Sequence, residues 1–216
     1  MTTNLAPVLA ISLANQSWFD KMYGPVIAGI KSRTELQQTS DAASALRLLS
    51  QVPAPSTVLI TDHALALKEN ATVWNAVLKY VRGGGTAVIM GSFSSFVLPN
   101  EIEPFFGQAG LRWWAGPYHR SVLTLNESVA VALGVDAEKL LPRYSQKALL
   151  MATKATRAML YVPDKTAPSM SRAALPGNCE TAVAMERVGD GRIGYIGDVN
   201  AEDGSQRVIL AMCGLL

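Results

Sequence analysis

Short apolar runs alternate with amphipathic segments through the first ninety residues. Residues 7–13, 57–61 and 86–90 are nearly continuous apolar runs, typical of strands that are buried on both faces of a parallel sheet. Residues 34–39 fit a further short strand. The pattern therefore predicts four strands in this part of the chain.

The segments between these strands fit helices. Residues 17–30 keep a helical spacing of apolar positions despite Gly24 and Pro25. The second helix carries Ala42, Ala45, Leu46 and Leu49 on one face, and the third ends at a triple glycine, 83–85, which favours left-handed backbone. The N-cap candidates are Ser40 or Asp41 for the second helix and Asn70 for the third. Strands that alternate with helices predict right-handed βαβ units and a parallel sheet.

The pattern changes after residue 100. A short helix at 101–106 is followed by candidate strands at 120–125, 148–153, 157–162, 181–187 and 192–196. Several are separated by turn-length gaps, which favours antiparallel hairpins added to the sheet edge. The last strand and the helix 201–215 return to the main sheet, and the loop 163–178 is the best candidate for a mobile segment.

The predicted fold class is α/β: a flavodoxin-like three-layer sandwich with a mostly parallel central sheet and an antiparallel extension. No internal repeat and no long linker divides the chain, so residues 1–216 are interpreted as a single domain.

Composition excludes several classes of protein. Hydrophobic residues make up 49% of the chain and charged residues 17%, and the mean hydropathy is +0.19. The net charge is only +2 and the basic residues are scattered, so no nucleic acid is expected as a partner. An apolar stretch at 5–14 resembles a signal sequence, but no Lys or Arg precedes it and a first strand explains it better. No run approaches the roughly 20 apolar residues that cross a bilayer. We therefore expect a cytoplasmic protein without a membrane segment, and its rather apolar composition favours a homodimer.

The order of elements and two local patterns resemble the class I glutamine-amidotransferase-like superfamily, and its ThuA-like branch in particular. Residues 58–95 resemble the strand, helix, glycine turn and strand that lead to a sharp elbow in that superfamily. Residues 190–205 resemble its closing strand and the loop that normally holds the catalytic His and Glu. Architecture is similar over nearly the whole chain, whereas these motifs span about fifty residues.

The resemblance implies a Cys-His-Glu machinery that this chain lacks. The elbow reads Met90, Gly91, Ser92, with no cysteine near it, and Asp198 and Asn200 stand where the family has His and Glu. The oxyanion turn, commonly rich in glycine, is replaced by residues 61–63. The two cysteines, Cys179 and Cys213, have no metal or redox spacing and are interpreted as buried apolar residues. Glutamine hydrolysis is therefore not expected.

Open parallel sheets bind ligands beyond the carboxyl ends of their strands. The loops that start at Leu13, Thr61, Met90 and Ile196 are therefore expected to share a crevice. Its candidate residues are Asn15, Asp62, His63, Ser92, Ser94, Asp198 and Asn200.

Two enzymatic alternatives use these side chains. Ser92 with His63 and either Asp62 or Asp198 can form a hydrolytic triad, although no Gly follows the Ser as in GxSxG. Asp62, His63 and Asp198 can instead supply one nitrogen and two carboxylates to a metal, although no HxH or HxxxH motif supports them. The plain alternative is that the serines and His63 make structural hydrogen bonds.

Residues 112–120 form the most unusual stretch of the chain. Trp113 and Trp114 are adjacent and precede Gly-Pro, and His119 lies close by between Tyr118 and Arg120. The stretch fits a loop that stacks a sugar or a planar ligand. In the second interpretation, one tryptophan packs into the core and the other takes part in a contact between subunits. We favour this second interpretation.

The sequence thus predicts an amidotransferase-like protein without glutaminase activity that binds a small polar metabolite or a protein partner. The alternative is a hydrolase or metal-assisted enzyme that uses His63 with Ser92, Asp62 or Asp198. The predicted ligand-binding residues are Asp62, His63, Ser92, Ser94, Trp114, His119 and Asn200. No cofactor and no resident metal is expected.

Overall fold

The computed structural model describes residues 5–164 and 179–216. Most of the loop 163–178, predicted as mobile, lies outside the described residues. The strands are β1 (Val8–Ile11), β2 (Leu36–Thr39), β3 (Thr57–Ile60), β4 (Thr86–Ile89), β5 (Trp113–Leu125), β6 (Arg143–Thr153), β7 (Tyr161–Pro163), β8 (Cys179–Thr181), β9 (Val183–Val188) and β10 (Gly191–Ile196). The helices are α1 (Phe19–Met22), α2 (Gly24–Lys31), α3 (Ala42–Leu49), α4 (Ala71–Arg82), α5 (Phe93–Phe96), α6 (Pro99–Gly107), α7 (Glu127–Leu133) and α8 (Asp203–Met212).

A six-stranded sheet in the order β2-β1-β3-β4-β10-β9 forms the centre of the fold. All its neighbours are parallel except the pair β9 and β10. Strands β1 and β3 are buried at every position, which explains their uninterrupted apolar sequences. The predicted flavodoxin-like α/β class is confirmed.

Two hydrophobic layers sandwich this sheet. Val8, Ala10 and Leu59 face α2 and α8, whereas Leu9 and Ile60 face the side of α3, α4 and α6. This alternation follows from the period of two in a strand, which sends successive side chains to opposite faces.

The helix ends are set by local chemistry. The Asp41 carboxylate accepts a hydrogen bond from Ser44 N at 2.8 Å and caps α3. Asn70 occupies the N-cap position of α4, but its side chain makes no cap bond and donates to the Ala64 carbonyl oxygen instead. The helix predicted over 17–30 is two helices, because Pro25 lies in the first turn of a new one.

The antiparallel strands depart from the prediction in part. Only β9 extends the main sheet, while β7, β5, β6 and β8 form a second, four-stranded antiparallel sheet. Strands β5 and β6 pair over most of their length, and β5 mixes buried with partly exposed positions, as expected of an antiparallel sheet with one solvated side. Helix α7 was not predicted, and 157–162 contains a 3-10 turn at Thr156–Ala158 before the short β7.

The prediction of a Gly-Pro loop around the tryptophans is wrong. Trp113 and Trp114 begin β5, and Gly116 and Pro117 lie at a register shift between Ala115 and Tyr118. A bulge accommodates proline within a strand because the displaced residue is not needed as a ladder donor. No helix within 5–164 or 179–216 is long and apolar enough to cross a membrane.

Candidate functional site

The sheet order reverses between β1 and β3, so the loops after these strands begin at a topological switch point. The hydroxyl groups of Ser12 and Thr61 are 2.5 Å apart there. The two Asp62 carboxylate oxygens accept hydrogen bonds from Ala14 N at 2.8 Å and Ala64 N at 3.0 Å. Asp62 therefore ties the two loops together.

The environment of Asp62 disfavours its charged form. Burial raises the pKa of this carboxyl, and hydrogen bonds from Ala64 N and Ala14 N oppose part of the increase. Both carboxylate oxygens of Asp62 accept backbone hydrogen bonds, so the side chain holds the loops after β1 and β3 in position.

The elbow after β4 is built around a glycine. Gly91 has φ +72°, and a Cβ at this position would lie 2.6 Å from the Thr61 carbonyl oxygen and 2.8 Å from the Phe19 ring. That carbonyl accepts hydrogen bonds from Ser92 N at 2.8 Å and Ser92 Oγ at 3.1 Å. The left-handed position of the elbow therefore has no room for a side chain.

Ser92 and Ser94 are buried, and their hydroxyls serve the packing of neighbouring segments. Ser92 binds the end of β3, as described above. Ser94 Oγ lies 3.0 Å from the Tyr195 hydroxyl on β10. Neither hydroxyl bonds a histidine in the described part of the chain.

The cysteines lie away from the elbow. Cys213 is buried at the end of α8, and burial raises the pKa of its thiol to about 12. Cys179 pairs with Thr153 in the second sheet and is only partly buried, contrary to the prediction of a buried residue. Neither cysteine belongs to the elbow segment, residues 90–95.

His63 and Asp198 are on opposite sides of the central sheet. The His63 ring lies 5.8 Å from the Phe96 ring, on the side of α4 to α6, and its buried Nδ1 has no hydrogen-bond partner in the part of the chain that the structure describes. The carbonyl oxygen of Asp198 accepts from the Tyr23 hydroxyl, which belongs to the α2 and α8 side. Among the described residues, 5–164 and 179–216, no hydrogen bond joins His63 to Ser92 or Asp198. The geometry therefore does not assemble the predicted triad.

The Asp198 carboxylate organises the loop after β10. Its oxygens accept hydrogen bonds from Asn200 N and Glu202 N, both at 2.8 Å. Burial raises its pKa, as it does for Asp62. Among the described residues no three His, Cys, Asp or Glu side chains form a group that could hold a metal ion, which removes support for the Asp62, His63 and Asp198 metal site.

The remaining predicted ligand-binding residues belong to other regions. Trp114 and His119 are in β5 and pair with Ala152 and Ala148 of β6. The buried His119 Nδ1 has no hydrogen-bond partner among the described residues. The Asn200 amide donates to Glu202 at 3.4 Å. The predicted set is thus spread over the segment after β3, the elbow, the loop after β10 and the second sheet.

A polar pocket of about 140 Å³ lies beyond the carboxyl ends of β1 and β2. Its polar lining consists of Ser12, Asn15, Asp20, Gln38, Thr39 and Ser40, and Phe19 forms an apolar wall. Of this lining, only Asn15 is among the residues predicted for the crevice. The prediction used the loops after β1, β3, β4 and β10, and it therefore missed Gln38, Thr39 and Ser40 at the end of β2, as well as Ser12, Phe19 and Asp20. The same rule about strand ends would have identified the residues at the end of β2.

A larger pocket of about 670 Å³ lies at the opposite, amino end of β3 and β4, against Tyr80 and Gly85. The Tyr80 hydroxyl donates to the Pro55 carbonyl oxygen and accepts from Thr86 N. Burial raises the pKa of Tyr80 to about 12. Tyr80 therefore has a structural role in this surface. Open parallel sheets bind ligands beyond the carboxyl ends of their strands, which favours the smaller pocket.

Comparison with known protein families finds no matching family, and no curated protein matches the sequence. The fold is similar to that of solved structures. A protein described as ThuA-like from Bacteroides uniformis superposes with a TM-score of 0.62 at 10% identity, covering 96% of this chain and 89% of that chain. A second protein described as ThuA-like, from Parabacteroides merdae, gives a TM-score of 0.57 at 17% identity, covering 98% of this chain and 89% of the other.

The same fold also occurs inside larger proteins. A β-galactosidase from Bacillus circulans sp. alkalophilus matches with a TM-score of 0.55 at 15% identity, covering 97% of this chain and 31% of that chain. At such low identity these comparisons establish the fold alone. The chain therefore shares its fold with these proteins described as ThuA-like.

Proposed function

We propose that this chain is a non-hydrolytic, amidotransferase-like protein that binds a small polar metabolite in the pocket beyond β1 and β2. The observation that carries the proposal is the elbow, where Gly91 occupies the left-handed position and Thr61 leaves no space for a Cβ. A covalent mechanism needs a nucleophilic side chain that projects from such a strained turn. This elbow supplies only Ser92, whose hydroxyl is buried and donates to a backbone carbonyl.

The proton relay is also replaced. Asp198 stands where the resemblance places the histidine, and its carboxylate is occupied by two backbone N–H groups. A carboxylate held in this way organises a loop, and it is a weak base for a hydroxyl nucleophile. These contacts support a binding role over hydrolysis.

The pocket provides the binding surface. It combines hydroxyl and amide groups with one apolar wall, a composition typical of sites for small polar molecules. An apolar cavity of about 150 Å³ holds one benzene molecule, so a pocket of about 140 Å³ suits a ligand of about six non-hydrogen atoms. The proposed ligand is therefore a small metabolite.

Two measurements test this function. Purified protein incubated with glutamine is expected to release no ammonia above the buffer rate, and Ser92→Ala is expected to leave that result unchanged. Glutamine hydrolysis that Ser92→Ala abolishes would overturn the non-hydrolytic role. Glycerol, titrated while amide NMR spectra are recorded, is expected to shift the signals of residues 12–15 and 38–40.

A matched pair of variants checks the location. Gln38→Ala, in the pocket, is expected to weaken glycerol binding severalfold because it removes an amide from the lining. Gln108→Ala, at the end of α6, is expected to bind as the wild type does. Equal binding by both variants would argue against this pocket. The homodimer stays a prediction, which sedimentation equilibrium tests.

A further inference from the structure

The described lining of the pocket carries a negative charge and no positive charge. Asp20 is the one ionisable side chain of its lining, and no Lys or Arg is among the described residues that form it. Asp41 follows directly after Ser40, and Asp62 binds Ala14 N between Ser12 and Asn15. Asp20 therefore gives the described lining a negative charge, and no positive side chain in that lining opposes it.

The N-terminus of α3, which follows Ser40, does not make the pocket favourable to anions. The N-terminus of a helix usually attracts anions, because its first N–H groups lack partners and its dipole is positive there. At α3 the Asp41 carboxylate already accepts from Ser44 N at 2.8 Å. Hydrogen bonding to Ser44 lowers the pKa of this carboxyl, so it stays ionised at neutral pH and takes the position of an external anion.

We infer that the pocket selects a small amino alcohol, a ligand that carries an ammonium group next to hydroxyl groups, and rejects anions of the same size. The inference rests on the proposed function and specifies the ligand class for the same pocket. The Ser40 hydroxyl and the amides of Asn15 and Gln38, whose side chains make no hydrogen bond within the described residues, match the hydroxyl groups of such a ligand. Asp20 matches its ammonium group.

Three compounds of nearly equal size separate charge from shape. Serinol (2-amino-1,3-propanediol) carries a positive charge at neutral pH, glycerol is neutral, and glycerate is negative. Each is titrated into the full chain at low salt and at about 0.15 M salt, with amide NMR shifts as the readout. Serinol is expected to bind about tenfold more tightly than glycerol at low salt, and glycerate more weakly than either. Added salt is expected to reduce the serinol advantage.

The outcomes distinguish the inference from the proposed function. If glycerate or glycerol shifts residues 12–15 and 38–40 at concentrations equal to or below those of serinol, the charge selection is wrong while the binding pocket stands. If none of the three compounds shifts these residues, both the inference and the pocket are overturned.

A matched pair of carboxylate variants tests the contact itself. Asp20 is exposed in the short α1, and its side chain makes no hydrogen bond to any described residue, so Asp20→Asn is expected to fold normally. It is expected to lose the tenfold serinol preference and to keep glycerol affinity. Asp190→Asn, at the exposed turn between β9 and β10, is the control and is expected to change neither affinity. An undiminished serinol preference in Asp20→Asn would contradict the inferred contact.

Discussion

The Ser94 hydroxyl donates a hydrogen bond to the Tyr195 hydroxyl at 3.0 Å, because the single Tyr195 proton is already donated to the Leu149 carbonyl oxygen at 2.8 Å. Ser94 follows the elbow, Tyr195 is in β10 of the main sheet, and Leu149 is in β6 of the second sheet. One buried tyrosine thus connects three parts of the fold.

Tyr195→Phe is expected to lower the free energy of unfolding by about 1–3 kcal/mol, because it leaves the Ser94 hydroxyl and the Leu149 carbonyl buried without this partner. Urea denaturation measures the change. Tyr118→Phe is the control, since the Tyr118 side chain is 51% exposed, and it is expected to change stability by less than about 0.5 kcal/mol. If Tyr195→Phe and Tyr118→Phe change the free energy of unfolding equally, the buried hydrogen bonds of Tyr195 do not stabilise the fold.

Gly91→Ala is expected to destabilise the fold by at least about 2 kcal/mol. The left-handed backbone disfavours any Cβ, and this one would also meet the Thr61 carbonyl oxygen at 2.6 Å. Gly107→Ala, where the added Cβ meets no atom within 4 Å, is expected to stay within about 1 kcal/mol of the wild type. Thermal and urea unfolding compare the two, and a tolerated Gly91→Ala would reopen the elbow to a side chain.

Asp62 gives the stability of the protein a predictable dependence on pH. Burial raises its pKa in the folded state, so its contribution to stability is fully present below its ordinary pKa of about 4 and decreases as the pH rises through the raised value. The wild type is therefore expected to lose stability relative to Asp62→Asn as the pH rises from about 4 towards 7. Urea denaturation of the two proteins at several pH values measures this difference. If the stability of the wild type relative to Asp62→Asn instead increases with pH, the pKa of Asp62 is lowered in the folded state and not raised.

The adjacent tryptophans are expected to differ sharply. Trp113 is fully buried, with its ring 5.0 Å from that of Phe106, whereas Trp114 is partly exposed. Trp113→Ala is expected to cost about 3–5 kcal/mol and Trp114→Ala about half as much or less. Chemical denaturation of the two variants checks this ranking, and the reverse order would place Trp114 in the core.

The first half of the fold could be predicted because its signals are local. The apolar runs that became β1, β3 and β4 are buried on both faces, so their sequences need no information about partners. Asp41 also caps its helix as expected, since a cap involves residues only three positions apart. Likewise, the triple glycine follows α4 where the sequence placed the end of the helix.

The candidate site depended on relationships that a sequence does not display. Strand periodicity alone does not tell whether β5 and β6 extend an existing sheet or form a new one, because pairing partners are distant in the chain. His63 and Asp198 both follow strand ends, yet the loops direct them to opposite sides of the sheet.

The sequence by itself determined the class of fold, the polar character of the strand ends and the lack of a cysteine at the elbow. Only the tertiary structure decided that Ser92, Ser94, Asp62 and Asp198 have structural partners and that Gln38 and Ser40 line a pocket. The physical reason is that a polar side chain is available for binding only when the backbone and side-chain groups around it leave it unsatisfied, and those groups are assembled by folding.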